Sequence, residues 1–144
     1  MISELYSGPI LDAAADIPPA RRLDAPDASA KKVSRICGSE VEVDVKLDGG
    51  VIADFGMTAR ACALGQAAAS LVAQNIIGAR PDEMLTLRDE MYSMLKNEGP
   101  PPKGERWRGL QALQPIRDYP QRHASTMLVF DAVADCMRQL GYGR

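Results

Sequence analysis

The stretch Glu40-Val41-Glu42-Val43-Asp44-Val45-Lys46-Leu47-Asp48-Gly49-Gly50-Val51-Ile52-Ala53-Asp54-Phe55-Gly56-Met57 decides the fold. Val41, Val43, Val45 and Leu47 alternate with Glu40, Glu42, Asp44 and Lys46. That strict period of two is the signature of a half-buried strand. Asp48-Gly49-Gly50 follows as a turn signal. Val51, Ala53, Phe55 and Met57 then set a second apolar row at the same period. Two such runs about a tight turn read as a β-hairpin. A lone hairpin is marginal in water, so a third strand and helical cover are expected. Ala30 to Ile36 is the candidate strand before it.

Beyond Arg60 the period becomes helical. Leu64, Ala68, Leu71, Val72 and Ile76 fall on one helical face, with Gly78 as a C-cap. Pro81-Asp82-Glu83 opens another helix, with Pro near its first position and acids in its first turn. Met84, Leu87, Met91, Met94 and Leu95 form its apolar stripe, which reads as core. It ends before Gly99-Pro100-Pro101-Pro102. Leu110 to Leu113 is a short helical turn that Pro115 interrupts. The last helix runs roughly from His123 to Leu140, with Met127, Phe130, Val133, Ala134, Met137 and Leu140 on one side. Upstream, Ser3 to Ala15 is a short helix with Gly8-Pro9 breaking into it, and 17–28 is irregular. The order predicts an α+β fold: a small antiparallel three-stranded sheet with helices packed on one face.

The chain has 144 residues, which reads as one domain over 1–144. Its apolar content of 46% is enough for a core. Seventeen Lys and Arg against 19 Asp and Glu give a formal charge of −2, without the basic excess of a nucleic-acid binder. No apolar run reaches the roughly 18 residues that a membrane span needs. Met1 to Asp16 lacks the pattern of a secretory signal. Three cysteines leave at least one unpaired, so a disulfide framework is not expected and a cytoplasmic location is. No phosphate loop, paired carboxylates or Ser-His-Asp order stands out, so no enzyme is indicated. Arg106-Trp107-Arg108 is either an interface anchor or a Trp packed over the end of the core.

The thiols carry what chemistry there is. Cys37 lies in Ile36-Cys37-Gly38-Ser39, between two predicted strands. Cys62 starts a helix, where the positive helix end favours thiolate. Cys136 lies inside the last helix and reads as a core residue.

Taken in order, these features resemble the U-type iron–sulfur cluster scaffold family, of the IscU, SufU and NifU N-terminal type. The carriers of the resemblance are Leu5-Tyr6 in the first helix, Cys37-Gly38-Ser39 before the strand, and Cys62-Ala63-Leu64-Gly65-Gln66-Ala67-Ala68-Ala69-Ser70. Pro120-Gln121-Arg122-His123-Ala124-Ser125 before the last helix is the fourth. Gly104 to Tyr119, within an insertion over roughly 99–119, looks like the SufU branch. The resemblance implies a scaffold or sulfur-transfer protein that works with a cysteine desulfurase and holds a transient [2Fe–2S] cluster or zinc.

In that family three cysteines and one aspartate converge on the metal. Here Cys37 and Cys62 are retained, while the aspartate position is Ser39 and the third cysteine position is Ser125. A neutral hydroxyl is a poor ligand beside thiolate or carboxylate. Cys136 lies eleven residues beyond Ser125, about 16 Å along a helix, and cannot replace it. His123 is the nearer candidate. A site of Cys37, Cys62 and His123 with Glu40 as oxygen donor is one expectation. Arg122 matches a basic position that neutralises thiolates or a bound acid. Three functions remain open: a carrier with an altered metal site, a ligand-depleted docking subunit of a larger assembly, and a redox protein with a Cys37–Cys62 disulfide. The last needs Cα atoms within about 7 Å.

Overall fold

A computed structural model describes residues 8–36 and 38–143 of the chain. Cys37 and the Leu5-Tyr6 pair lie outside the described residues. Helix α1 spans Gly8–Ala15. Strands β1 (Ala28–Val33), β2 (Glu40–Asp48) and β3 (Val51–Arg60) follow. Helix α2 spans Ala63–Asn75 and α3 spans Pro81–Lys96. A 3-10 stretch, Glu105–Asp118, and a 3-10 turn, Pro120–Arg122, lead into α4, His123–Gln139.

Among the described residues the sheet has three antiparallel strands in the order β1-β2-β3. Gly49 and Gly50 both take positive φ, +63° and +83°. That is the backbone a tight hairpin demands, which L side chains resist. Val41, Val43 and Val45 are fully buried against α4, as their period predicts. The first strand is placed earlier than expected, at Ala28–Val33 rather than Ala30 to Ile36.

The second apolar row breaks at its start. Lys46 pairs with Asp54, but Leu47 pairs with Ile52, so Ala53 is an extra residue on β3. A bulge of this kind reverses side-chain alternation. Ile52 therefore enters the core, while Ala53, expected inside, faces solvent.

The irregular segment 17–28 straps the other face of the sheet. Arg21 bridges to Met57 through its backbone. The Arg22 guanidinium donates to both oxygens of Asp44, at 2.7 and 3.0 Å, and the Leu23 N–H donates at 3.0 Å. The Ser29 hydroxyl adds a further bond. Asp44, read as a solvent-side residue, is thus fully buried.

On the helical face α4 packs on β1 and β2 and meets α2 and α3. Met84, Leu87, Met91, Met94 and Leu95 of α3 are all buried, as expected of their stripe. The 3-10 stretch runs on through Pro115 instead of forming one short turn. Its Trp107 is buried and donates its indole N–H to Glu83 at 2.8 Å. Arg106 bonds Glu83 and the carbonyls of Asn75 and Ile77. Trp107 is accordingly packed over the end of the core with Arg106 tied beside it, while Arg108 is exposed and, among the described residues, bonds only Glu105.

Candidate functional site

Cys62 holds extended backbone, φ −65° and ψ 171°, and α2 begins one residue later. Its carbonyl accepts the first helical bond, from Gln66 at 2.8 Å. The thiol is half-buried and stands at the partially positive helix end. Opposite it lies the first turn of α4. There the Ser125 and Thr126 hydroxyls donate to the Arg122 carbonyl, at 3.2 and 2.9 Å.

The two turns meet: Cys62 Sγ lies 3.6 Å from Ser125 Oγ. Ser125 has one hydrogen, given to Arg122. The hydrogen between sulfur and oxygen is therefore the thiol's. When that proton leaves, the Ser125 hydroxyl can turn to the sulfur, because Thr126 still serves the Arg122 carbonyl. The hydroxyl can thus stand as partner to the Cys62 sulfur in either protonation state.

Gly65 makes this approach possible. A Cβ there would lie 2.7 Å from the Ala61 Cβ and 3.2 Å from the Ser125 carbonyl oxygen. Only a bare Cα lets α4 sit so close. Gly65 is the residue that inspection of the sequence missed. Its signal was a glycine inside a helix, three residues after a cysteine and on the same face.

Ser39 and Ser125, which the resemblance sets at ligand positions, are both buried. His123 is buried, 3% accessible. Its Nε2 lies 3.0 Å from the Ile116 carbonyl and 3.1 Å from that of Arg117. Carbonyls only accept, so Nε2 carries the hydrogen and Nδ1 keeps the lone pair. Nδ1 is buried with no partner among the described residues. Burial, then the charge of Lys96, push the ring below the ordinary histidine value, against the two carbonyl bonds. Arg122 Nε is likewise buried and has no partner among the described residues. Glu40 is taken by Lys31, 3.2 Å away.

Cys136 is apart from all of this. It is fully buried in α4, and burial, with Asp135 and Asp44 adding, pushes its thiol up to about 12. A separate cleft of about 480 Å³ lies between the strap, β3 and α2, lined by Pro18, Pro19, Phe55, Met57 and Ile77 among others. It includes neither Cys62 nor Ser125.

A small antiparallel sheet backed by helices, with a thiol opening one helix against the first turn of another, makes this an α+β domain with a cysteine set at a helix junction. The comparisons make the assignment particular. The profile of the NifU-like N terminal domain matches residues 5–126. The chain belongs to that family. It is 47% identical to a nitrogen-fixing NifU-like protein (N-terminal) from Brucella abortus, covering 99% of each chain with a TM-score of 0.93. It is 26% identical over 136 residues to the iron–sulfur cluster assembly scaffold protein IscU of Thermotoga maritima, 94% of each. A structure from Fervidobacterium islandicum, described as a cluster assembly scaffold for the SUF system, shares the fold. Its TM-score is 0.83 at 20% identity, over 92% of this chain and 96% of that one.

Among the described residues no three His, Cys, Asp or Glu side chains gather to hold a metal. Cys62 is flanked by the Ser125 hydroxyl, and zinc sites call for charged or imidazole donors. The described residues by themselves do not make a zinc site. His123 Nδ1 is the one buried nitrogen among them left with a lone pair to give.

Proposed function

We propose that the chain is an iron–sulfur assembly carrier of the scaffold class, not an enzyme, that accepts sulfur from a cysteine desulfurase at Cys62. Cys37 is proposed as the second thiolate and Arg122 as the cation beside them. The observation that carries this reading is the half-buried Cys62 thiol at a helix end, 3.6 Å from a hydroxyl that can follow its proton. In the transfer, the Cys62 thiolate attacks the outer sulfur of the desulfurase persulfide. A new S–S bond forms at Cys62, the old one breaks, and the desulfurase cysteine leaves as thiolate. Iron and a nascent [2Fe–2S] cluster are cargo, held by Cys37, Cys62 and, through Nδ1, His123, with serines in place of the two remaining family ligands. Zinc is the alternative occupant of the same ligands.

The test is anaerobic reconstitution with a desulfurase, cysteine and ferrous iron, followed by assay of bound iron and labile sulfide. The parent chain takes up both, and Cys62→Ala takes up neither. No uptake by the folded parent contradicts the cluster part of the reading.

A second reading is favoured by the burial of two hydroxyls, Ser39 and Ser125, at ligand positions. In it the chain keeps the fold without the cluster and serves as a docking subunit of a larger assembly. Ser39→Asp with Ser125→Cys separates the two. Uptake by the double variant alone selects the docking subunit.

A further inference from the structure

The cleft between the strap, β3 and α2 lies along an edge of the sheet, because β3 is its last strand. In an antiparallel pair every second residue turns its N–H and C=O away from the neighbouring strand. Along β3 these are Met57, Phe55 and, past the bulge, Ile52. The chain's own backbone covers the outer two. The Arg21 N–H donates to the Met57 carbonyl at 3.0 Å. Ile52 donates to the Ala79 carbonyl and accepts from the Gly78 N–H, both at 2.8 Å.

Phe55, between them, is covered by side chains instead. Its N–H donates to Asp54 Oδ1 at 2.9 Å, and its carbonyl accepts from Arg21 Nη1 at 3.3 Å. Arg21 and Asp54 hold each other at 3.0 and 3.1 Å. Their side chains are 58% and 41% exposed. Ion pairs so exposed are weak, and a ligand can displace them. This pair stands where one residue of a fourth strand would stand, on the kind of edge that folded proteins guard.

The cleft itself, about 480 Å³, has the size of a ligand site. Phe55 lies opposite Val45, which is buried on the helical face. A residue paired to Phe55 from outside therefore puts its side chain on that face, towards Ala73 and Ile77. Ile77, 51% exposed, is there to be covered. Pro18 and Pro19 on the facing wall have no N–H, so an entering chain pairs with β3 and not with the strap.

We propose that the cleft binds an extended peptide segment of a partner protein, which adds to β3 at Phe55 and sets one apolar side chain into the cleft. Charge complementarity fixes its neighbours. Running antiparallel, the segment carries its preceding residue towards Arg21 and its following residue beside Asp54, both on the outer face. An acid before the apolar residue and a base after it release the Arg21–Asp54 pair and replace both of its charges. A second copy of this chain pairing edge to edge needs Met57 or Ile52, which are already bonded. A strand this short is one grip of a larger contact. The cleft includes neither Cys62 nor Ser125, so a partner held here leaves the thiol uncovered.

The probe is the blocked peptide acetyl-Gly-Glu-Leu-Lys-Gly-amide, titrated into the isotope-labelled full chain and followed by amide NMR. The signals of Asp54, Phe55 and Ala73 shift, and those of Cys62 and Thr126 stay. N-methylation of the leucine removes the donor to the Phe55 carbonyl and weakens binding about tenfold. The reversed order, Lys-Leu-Glu, binds about fivefold more weakly, and Arg21→Ala removes most of that preference. Ala73→Phe fills the cleft and abolishes binding, with folding verified by circular dichroism. No binding by the parent, or equal binding of the N-methyl or reversed peptide, overturns the proposal. So does unchanged binding by Ala73→Phe. Equal binding of free leucine overturns it in favour of an amino-acid site. A peptide-free dimer that masks the same amides overturns it in favour of self-association.

Discussion

Gly65 and Ser125 set the distance on which the site depends. Adding one methyl at Gly65 pushes against the Ala61 Cβ and the Ser125 carbonyl. Gly65→Ala should cost about 1–3 kcal/mol in urea denaturation, since neither neighbour is a flexible side-chain tip. It should also part Cys62 from Ser125. Ser125→Ala removes the hydroxyl that turns to the sulfur. It should slow alkylation of Cys62 by iodoacetamide about fivefold at fixed pH, the worth of one modest hydrogen bond. Alkylation at the parent rate would show that the 3.6 Å contact does nothing for the thiolate. At this scale the sequence displayed the residue types but not their meeting. Cys62 and Ser125 are 63 positions apart, and no periodicity speaks to such a distance. His123 was legible as a candidate, but its burial was not. Two backbone carbonyls of the 3-10 stretch hold it, and backbone partners leave no trace in side-chain patterns.

The strap and the 3-10 stretch are the elements that patterns describe least. Asp44 alternates like a solvent-facing residue, yet the strap covers it. Burial penalises its charge, but bonds from Arg22, Ser29 and the Leu23 N–H outweigh this and hold its carboxyl below the ordinary value. The unfolded chain therefore binds a proton near 3.8 while the folded chain still resists. Stability from this group is complete above that pH and is lost as pH falls through it and below. Asp44→Asn should flatten that acid limb and cost about 2 kcal/mol at neutral pH, because Arg22 is half-exposed and partly regains water. An unchanged acid limb would remove the strap from the account. Trp107→Phe tests the other element. It keeps most of the apolar volume and forfeits the bond to Glu83, so thermal unfolding should register about 1 kcal/mol. By contrast the hairpin, α3 and α4 were plain in the sequence, because each buries one face at a regular period. The bulge at Ala53 was not, since one inserted residue leaves the pattern intact on either side of it.

For the whole molecule the order of elements was readable, and so was the family, through four short motifs in sequence. The buried face of the sheet, the helix-opening thiol and the core role of Cys136 follow from local rules. The meeting of Cys62 with Ser125 does not, because it needs the starts of α2 and α4 brought together. The central claim is that sulfur arrives at Cys62. The most direct measurement is peptide mass spectrometry of the chain after anaerobic incubation with the desulfurase and cysteine, without iron. The account predicts a persulfide on the peptide holding Cys62 in the parent and in Cys136→Ala, and its loss there in Cys62→Ala. A persulfide absent from Cys62 in the folded parent, with the desulfurase active, would contradict it.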